Sequence, residues 1–254
     1  MTPNQMFSLA GKRALVTGGS SGIGFAIARA FGQAGAHVVL SGHIKAEVVQ
    51  AAHAIGATGL TGDLSSRQGA EAVAQGALSD MGGVDILVSC AGIEGPVTGS
   101  VQTDEAAYRQ TFNINLHAAT WLCGAVLPQM QARRAGVIVL VSSLSAMRGN
   151  RAIGAYAMTK AALAQLARNI AVEYGPDGIR ANAIAPGLID TPFSRGLMSD
   201  ADFMARRMRA TPLRRVGLPE EIAATALWLA SAGGGFVTGQ TIVVDGGTLI
   251  SDGS

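Results

Sequence analysis

Short runs of Val, Ile and Leu alternate along the chain with longer segments in which apolar residues recur at helical spacing. Residues 13–17, 37–41, 58–62, 84–89, 137–142, 180–184 and 241–244 read as strands. Several are apolar almost throughout, as expected of parallel strands covered on both faces. Residues 22–34, 45–54, 67–81, 104–134, 154–174 and 220–230 read as helices. Strand alternating with helix predicts an α/β fold: a doubly wound, Rossmann-type parallel sheet of about seven strands with helices on both faces. No internal repeat or break in composition divides the chain, so 1–254 reads as one domain. Its one long irregular stretch, 186–219, is rich in proline and arginine and predicts a lid over a substrate site.

Composition narrows the function classes. The chain has 254 residues, 48% of them hydrophobic and 14% charged, with a formal net charge of +2. That balance lacks the basic footprint of a nucleic-acid binder. No uninterrupted apolar run approaches the ~18 residues of a membrane span, and residues 1–10 lack the basic start and apolar stretch of a secretion signal. Cys90 and Cys123 are the only cysteines, too few for a disulfide framework and suited to a reducing cytoplasm. His37, His53 and His117 have no ligand spacing to acidic residues or cysteines, so no metal is expected.

Immediately after the first strand stands Thr17-Gly18-Gly19-Ser20-Ser21-Gly22-Ile23-Gly24, leading into a helix. Glycines let the backbone turn sharply and approach a pyrophosphate, whose charge then lies at the helix N-terminus. The spacing differs from the common G-x-G-x-x-G, and such a cluster also suits a plain strand-to-helix turn; its position at the first βα turn is what points to a dinucleotide. The second strand ends in Ser41-Gly42-His43, with no carboxylate before Glu47. An acidic residue there would bind the ribose 2′-OH of NAD. Its absence leans the reading toward NADP over NAD, although His43 also reads simply as a solvated loop residue.

Tyr156 and Lys160 lie four residues apart at the start of a predicted helix, which puts phenol and ammonium on one face. A nearby cation favours the phenolate and is expected to lower the tyrosine pKa, giving a general acid/base for an alcohol or ketone. Ser143, at the end of the preceding strand, would face the same crevice and hold the substrate oxygen.

With these motifs in order, the chain resembles the short-chain dehydrogenase/reductases of the compact type over almost its whole length. The resemblance rests on Thr17-Gly18-x3-Gly22-Ile23-Gly24, Asp63-Leu64, Ala91-Gly92, Asn115, Ser143, Tyr156-x3-Lys160, Pro186-Gly187 with Thr191, and Asp245-Gly246-Gly247. It implies an NAD(P)-dependent enzyme in which Tyr156 donates or accepts the proton and Lys160 binds the nicotinamide ribose and tunes the tyrosine. It further implies that Ser143 polarises the carbonyl and that Asn115, with Asn113 as a nearby competitor, holds a water of a proton relay. Asp63 would contact adenine, and Ile189 and Thr191 the carboxamide. Related enzymes mostly form tetramers through their two long helices. The family often has Asn-Asn-Ala-Gly where this chain has Ser89-Cys90-Ala91-Gly92, which puts the tie between neighbouring strands in question.

Arg195, Arg206, Arg207, Arg209, Arg214 and Arg215 crowd 186–219; they read either as a draw for anionic substrates or as a solvated face or subunit contact. Arg148, Asn150 and Arg151 lie between Ser143 and Tyr156 and favour a small polar substrate such as a sugar, polyol or hydroxy acid. The alternatives are a 3-oxoacyl-thioester reductase and, in another class, a nucleotide-sensing scaffold without catalysis.

Overall fold

The computed structural model describes residues 1–252; Gly253 and Ser254, the end of the expected 1–254 domain, lie outside the described residues. The strands are β1 (Arg13–Thr17), β2 (His37–Gly42), β3 (Thr58–Thr61), β4 (Ile86–Ser89), β5 (Gly136–Val141), β6 (Ile179–Pro186) and β7 (Thr241–Val244). They form one sheet in the order β3-β2-β1-β4-β5-β6-β7, with every neighbouring pair parallel. The helices are α1 (Pro3–Met6), α2 (Gly22–Gln33), α3 (Lys45–Ile55), α4 (Arg67–Met81), α5 (Glu105–Phe112), α6 (Ala118–Ala132), α7 (Gly154–Tyr174), α8 (Arg195–Met198), α9 (Ala201–Arg209) and α10 (Pro219–Ala230).

Successive strand residues point to opposite faces, and both faces are covered. Leu15, Leu87, Ile138 and Leu140 pack against α4, α6 and α7. Ala14, Val16, Leu40, Val88 and Val139 pack against α2, α3 and α10. This two-sided burial is why the strands are continuously apolar instead of alternating. Each fully buried Leu or Ile contributes ~1.5–3 kcal/mol. Local signals set the helix ends. The Ser66 hydroxyl accepts from Gly69 N to start α4, and Gly82, left-handed at φ 66°, stops it.

Two expectations need correction. The predicted single helix 104–134 is α5 and α6 joined by a π-helical turn, Asn113–His117. The predicted irregular stretch 186–219 contains a short 3-10 turn, α8 and α9. α9 buries no residue fully, its apolar side (Phe203, Met204 and Met208) being only half-buried; Asp200 caps it by accepting from Phe203 N, and Arg206, Arg207 and Arg209 close its last turn, complementing the helix dipole. No helix among the described residues is long and apolar enough to cross a membrane.

From β1 the chain builds outward to β2 and β3 on one side and to β4 through β7 on the other. Loops leaving the carboxyl ends of β1 and β4 therefore diverge, and a crevice opens between them.

Candidate active site

That crevice is a cleft of ≈ 850 Å³, within the range of pockets that bury most of a bound small molecule. The turn after β1 forms its floor. Gly18 is left-handed (φ 65°), and a Cβ there would stand 2.9 Å from the Ala91 backbone; a Cβ on Gly24 would stand 2.1 Å from the Gly18 carbonyl oxygen. Only glycine lets the turn close this tightly and bring the start of α2 into the cleft. Ser20, Ser21, Gly22 and Ile23 line it there. Ser21 caps α2 without a side-chain hydrogen bond, so the first-turn N–H groups are left without a side-chain acceptor. A helix start of this kind suits a phosphate, and the residues present fit a dinucleotide.

At the end of β2, Gly42 and His43 line the cleft. A Cβ on Gly42 would meet Ser20 Oγ at 2.8 Å and Val48 Cγ2 at 2.9 Å, so no larger residue fits without movement. The Asp63 carboxylate accepts from Ser65 N and Ser65 Oγ, both at 2.8 Å. These bonds, with a smaller contribution from His43, hold it below the usual carboxylate range. Leu64, Ala91, Gly92, Pro186, Gly187, Ile189 and Thr191 complete this half. The strand tie that Asn-Asn would make is taken over by Thr17. Its hydroxyl accepts from Cys90 N (3.2 Å) and Ala91 N (3.4 Å) and donates to Val88 O (3.5 Å).

The other half is built where β5 meets α7. The Ser142 hydroxyl donates to the Lys160 carbonyl (2.7 Å), and Lys160 Nζ donates to the Val141 carbonyl (2.9 Å). This double latch fixes α7 against the strand end and aims Tyr156 and Ser143 into the cleft beside Lys160. Ser143 Oγ accepts from Ser145 N (3.1 Å), and its hydroxyl also bonds with the Tyr156 phenol. Lys160 Nζ stands 5.5 Å from the Tyr156 ring centre.

The expected depression of the Tyr156 pKa is not found. Burial pushes the phenol up to about 12, with the Ser143 hydrogen bond pulling the other way. Lys160 is itself pulled down to about 8 by burial. Desolvation disfavours both charged forms and outweighs the attraction that i,i+4 spacing suggested.

The Asn115 side chain is buried. Its Oδ1 accepts from Ile93 N (2.8 Å), and its Nδ2 donates to Ile93 O (2.8 Å) and Thr159 Oγ1 (3.3 Å). Thr159 Oγ1 in turn donates to the Tyr156 carbonyl (2.7 Å). The amide is a clamp between the loop after β4 and the first turn of α7. Asn113 instead pairs with His117 at 3.2 Å, on the exposed side.

Apart from Asn115, the expected site residues all line the one cleft. Cys90 lines it too, its thiol pushed up to about 11 by burial, which keeps it protonated and inert. The sequence reading missed Glu94, whose charge acts on Tyr156, and Phe193, whose ring faces it. Glu94 follows the Ala91-Gly92 motif and Phe193 follows Thr191, so proximity to motif residues was the available signal. No group of three or more potential metal ligands occurs among the described residues.

The matching family model, described as Enoyl-(Acyl carrier protein) reductase, covers residues 18–248. The human Dehydrogenase/reductase SDR family member 4 is 38% identical over 246 residues, covering 94% of this chain and 88% of that protein. The chain belongs to the short-chain dehydrogenase/reductase family. Among solved structures, a gluconate 5-dehydrogenase from Burkholderia cenocepacia in complex with NADP and tartrate is similar at TM-score 0.93 and 30% identity, covering 98% of this chain and all of its own. A 7 alpha-hydroxysteroid dehydrogenase complexed with NADH and 7-oxo glycochenodeoxycholic acid gives TM-score 0.92 and 35% identity, covering 97% of this chain and 98% of its own. As a short-chain dehydrogenase/reductase, the protein is a nicotinamide-dependent oxidoreductase acting on CH–OH groups.

Proposed function

We propose that this enzyme interconverts a secondary alcohol and a ketone on a small polar substrate, with Tyr156 as general acid/base and a preference for NADP. The observation that carries the reading is the convergence of Ser143, Tyr156 and Lys160 at one end of a cleft whose other end is shaped for a dinucleotide. NADP is favoured because β2 ends in Gly42 and His43, with no carboxylate at these two positions to repel a 2′-phosphate.

When bound, the coenzyme supplies or accepts the hydride. The start of α2, with Gly18 to Gly24, holds the pyrophosphate. Gly42 and His43 would hold the adenosine ribose, Asp63 and Leu64 the adenine, and Ala91 and Gly92 the adenosine side. Pro186, Gly187, Ile189 and Thr191 would hold the nicotinamide, and Lys160 its ribose. The Ser143 hydroxyl, beside the Tyr156 phenol, donates to the substrate oxygen. In reduction Tyr156 gives its proton to that oxygen as the C–H bond forms; in oxidation it takes the proton back. The Asn115 amide is fully used, so a relay water would be held by its main-chain carbonyl, in the π turn where regular helical bonding is loosened.

Segment 186–219 serves as the lid. It is pinned at its base by Asp190 N to Gly217 O and Gly217 N to Leu188 O, while α8 and α9 bury no side chain fully. A homotetramer accords with the run of tilted and edge-on ring contacts of Tyr108, Phe112, His117 and Trp121 from α5 through the π turn to α6. A cytoplasmic site of action accords with the free cysteines. The second reading, 3-oxoacyl-thioester reduction, draws on the acyl-carrier description of the matching family.

Tyr156→Phe tests the core of the reading. Turnover across a panel of ketones is expected to fall by at least about a thousandfold while fluorescence titration still shows NADPH binding. Undiminished turnover would sink the mechanism, and absence of turnover in the wild-type enzyme would favour a non-catalytic nucleotide sensor.

A further inference from the structure

Three arginines that form no ion pair among the described residues line the cleft, Arg148, Arg151 and Arg207, and two of them, Arg148 and Arg207, are set against each other. Arg148 follows the 3-10 turn Leu144–Met147 that Ser143 caps, and Arg207 lies on α9. Both line the cleft that contains Ser143 and Tyr156. Arg13, Arg29, Arg133, Arg134 and Arg215 are all salt-bridged, whereas neither Arg148 nor Arg207 forms an ion pair among the described residues.

The pair is also held in place. Asn150 Nδ2 donates to the Arg148 carbonyl (2.9 Å) and to the Ser145 carbonyl (2.8 Å), which fixes the turn bearing Arg148. The Arg207 guanidinium lies over the Phe203 ring, 5.3 Å from its centre. Burial and the charge of Arg148 both push the Arg207 pKa down, so the two cations feel each other. Like charges brought together without a counter-charge are unfavourable. A sequence that breaks such a rule in a cleft, with neighbours that keep it broken, marks a functional position. Glu94 also lines the cleft, yet its charge acts on Tyr156 and not on Arg207.

Resting on the activity proposed above, we propose that Arg148 and Arg207 form a carboxylate clamp, making the substrate a hydroxy acid whose carboxylate lies between them while its alcohol carbon reaches Ser143 and Tyr156. The planar fork of each guanidinium matches a carboxylate, and the charge-assisted hydrogen bonds are stronger in a partly desolvated cleft. Because Arg207 rides on α9, binding the acid would also hold segment 186–219 closed over the site, so the anion would act as the latch of the lid.

The test uses the full-length enzyme with its preferred coenzyme and a series of oxo acids of increasing length, each matched with its primary amide. Wild type is compared with Arg148→Gln and Arg207→Gln, and with Arg195→Gln as a cation outside the cleft. The clamp predicts that the best acid exceeds its amide in kcat/KM by about tenfold or more, and that either cleft variant loses this preference through KM. Amide turnover, which reports folding and chemistry, is expected to stay within about twofold in both variants. Arg195→Gln keeps the preference. Acids and amides turned over alike by wild type, or a preference that survives in both cleft variants, overturns the clamp and leaves the catalytic reading standing. Failure of wild type on the whole series overturns the clamp; only failure on the wider ketone panel as well overturns the catalytic reading.

Discussion

The ring of Phe193 stands 6.1 Å from the ring of Tyr156, centre to centre, although Phe193 is itself 51% exposed. Phe193 lies in the short turn Pro192–Ser194, which Thr191 caps through a bond from Ser194 N to its hydroxyl. The residue expected to orient the nicotinamide thus also starts the turn that shields the tyrosine. Phe193→Ala is expected to admit water and move the Tyr156 pKa down from about 12, because burial is the main cause of its elevation. Phenolate absorbance, read against a Tyr156→Phe/Phe193→Ala blank, measures this directly; an unmoved titration would show that Phe193 does not shield the phenol.

The same burial sets a pH profile. Lys160 holds its cation below about 8 and loses it as pH rises through that value, while Tyr156 keeps its proton up to about 12. Ketone reduction needs the phenol proton and is favoured by the cation, which stabilises the phenolate left behind. The kcat/KM for reduction is therefore expected to be level on the acid side of about 8 and to fall above it. In Lys160→Met the inflection should vanish and the residual rate stay flat. A wild-type profile without a break in this region would exclude Lys160 as the titrating group.

Asn115 is predicted to matter for stability as well as rate. Asn115→Ala leaves the Ile93 N–H and C=O without their partners and removes a bond to Thr159. Unsatisfied buried groups cost ~1–3 kcal/mol each, so a loss of about 2–4 kcal/mol is expected in urea unfolding, with an unchanged slope. A variant of native stability would mean that Ile93 is rescued by water.

Gly42→Asp separates space from charge at the coenzyme site. The new Cβ would crowd Ser20 Oγ and Val48 Cγ2, and the carboxylate would repel a 2′-phosphate. NADPH affinity is expected to drop by about tenfold or more. Gly42→Asp/Ser20→Ala, which relieves part of the crowding, should then bind NADH better than the single variant does. If NADPH binding is undisturbed, the 2′-phosphate does not approach Gly42.

Much of the molecule was legible in local pattern. The strands at 13–17 and 241–244 and the helices at 67–81 and 154–174 match the observed bounds residue for residue. Periodicity and glycine punctuation are properties of adjacent residues, and a continuously apolar strand can only be buried on both faces. The glycine turn at the first βα junction and Tyr156 with Lys160 on one helix face could be read for the same reason.

What the sequence could not determine depends on residues far apart in the chain. That the Thr17 hydroxyl does the work of the missing asparagines follows from how β1 lies beside β4. The π turn at Asn113–His117 carries Asn115, whose amide bonds the distant Ile93, and no helical period records that contact. The direction of the Tyr156 shift was set by the depth of the cleft, since desolvation depends on everything packed around a group and i,i+4 spacing describes only one neighbour. Arg148 follows a 3-10 turn and Arg207 lies on α9, and only the folded cleft sets their charges against each other. The sequence by itself determined the sheet, the glycine turn after β1 and the placing of Tyr156 and Lys160 on one helix face, because these are written in spacing; tertiary structure alone decided burial and charge balance, because these arise from contacts between distant segments.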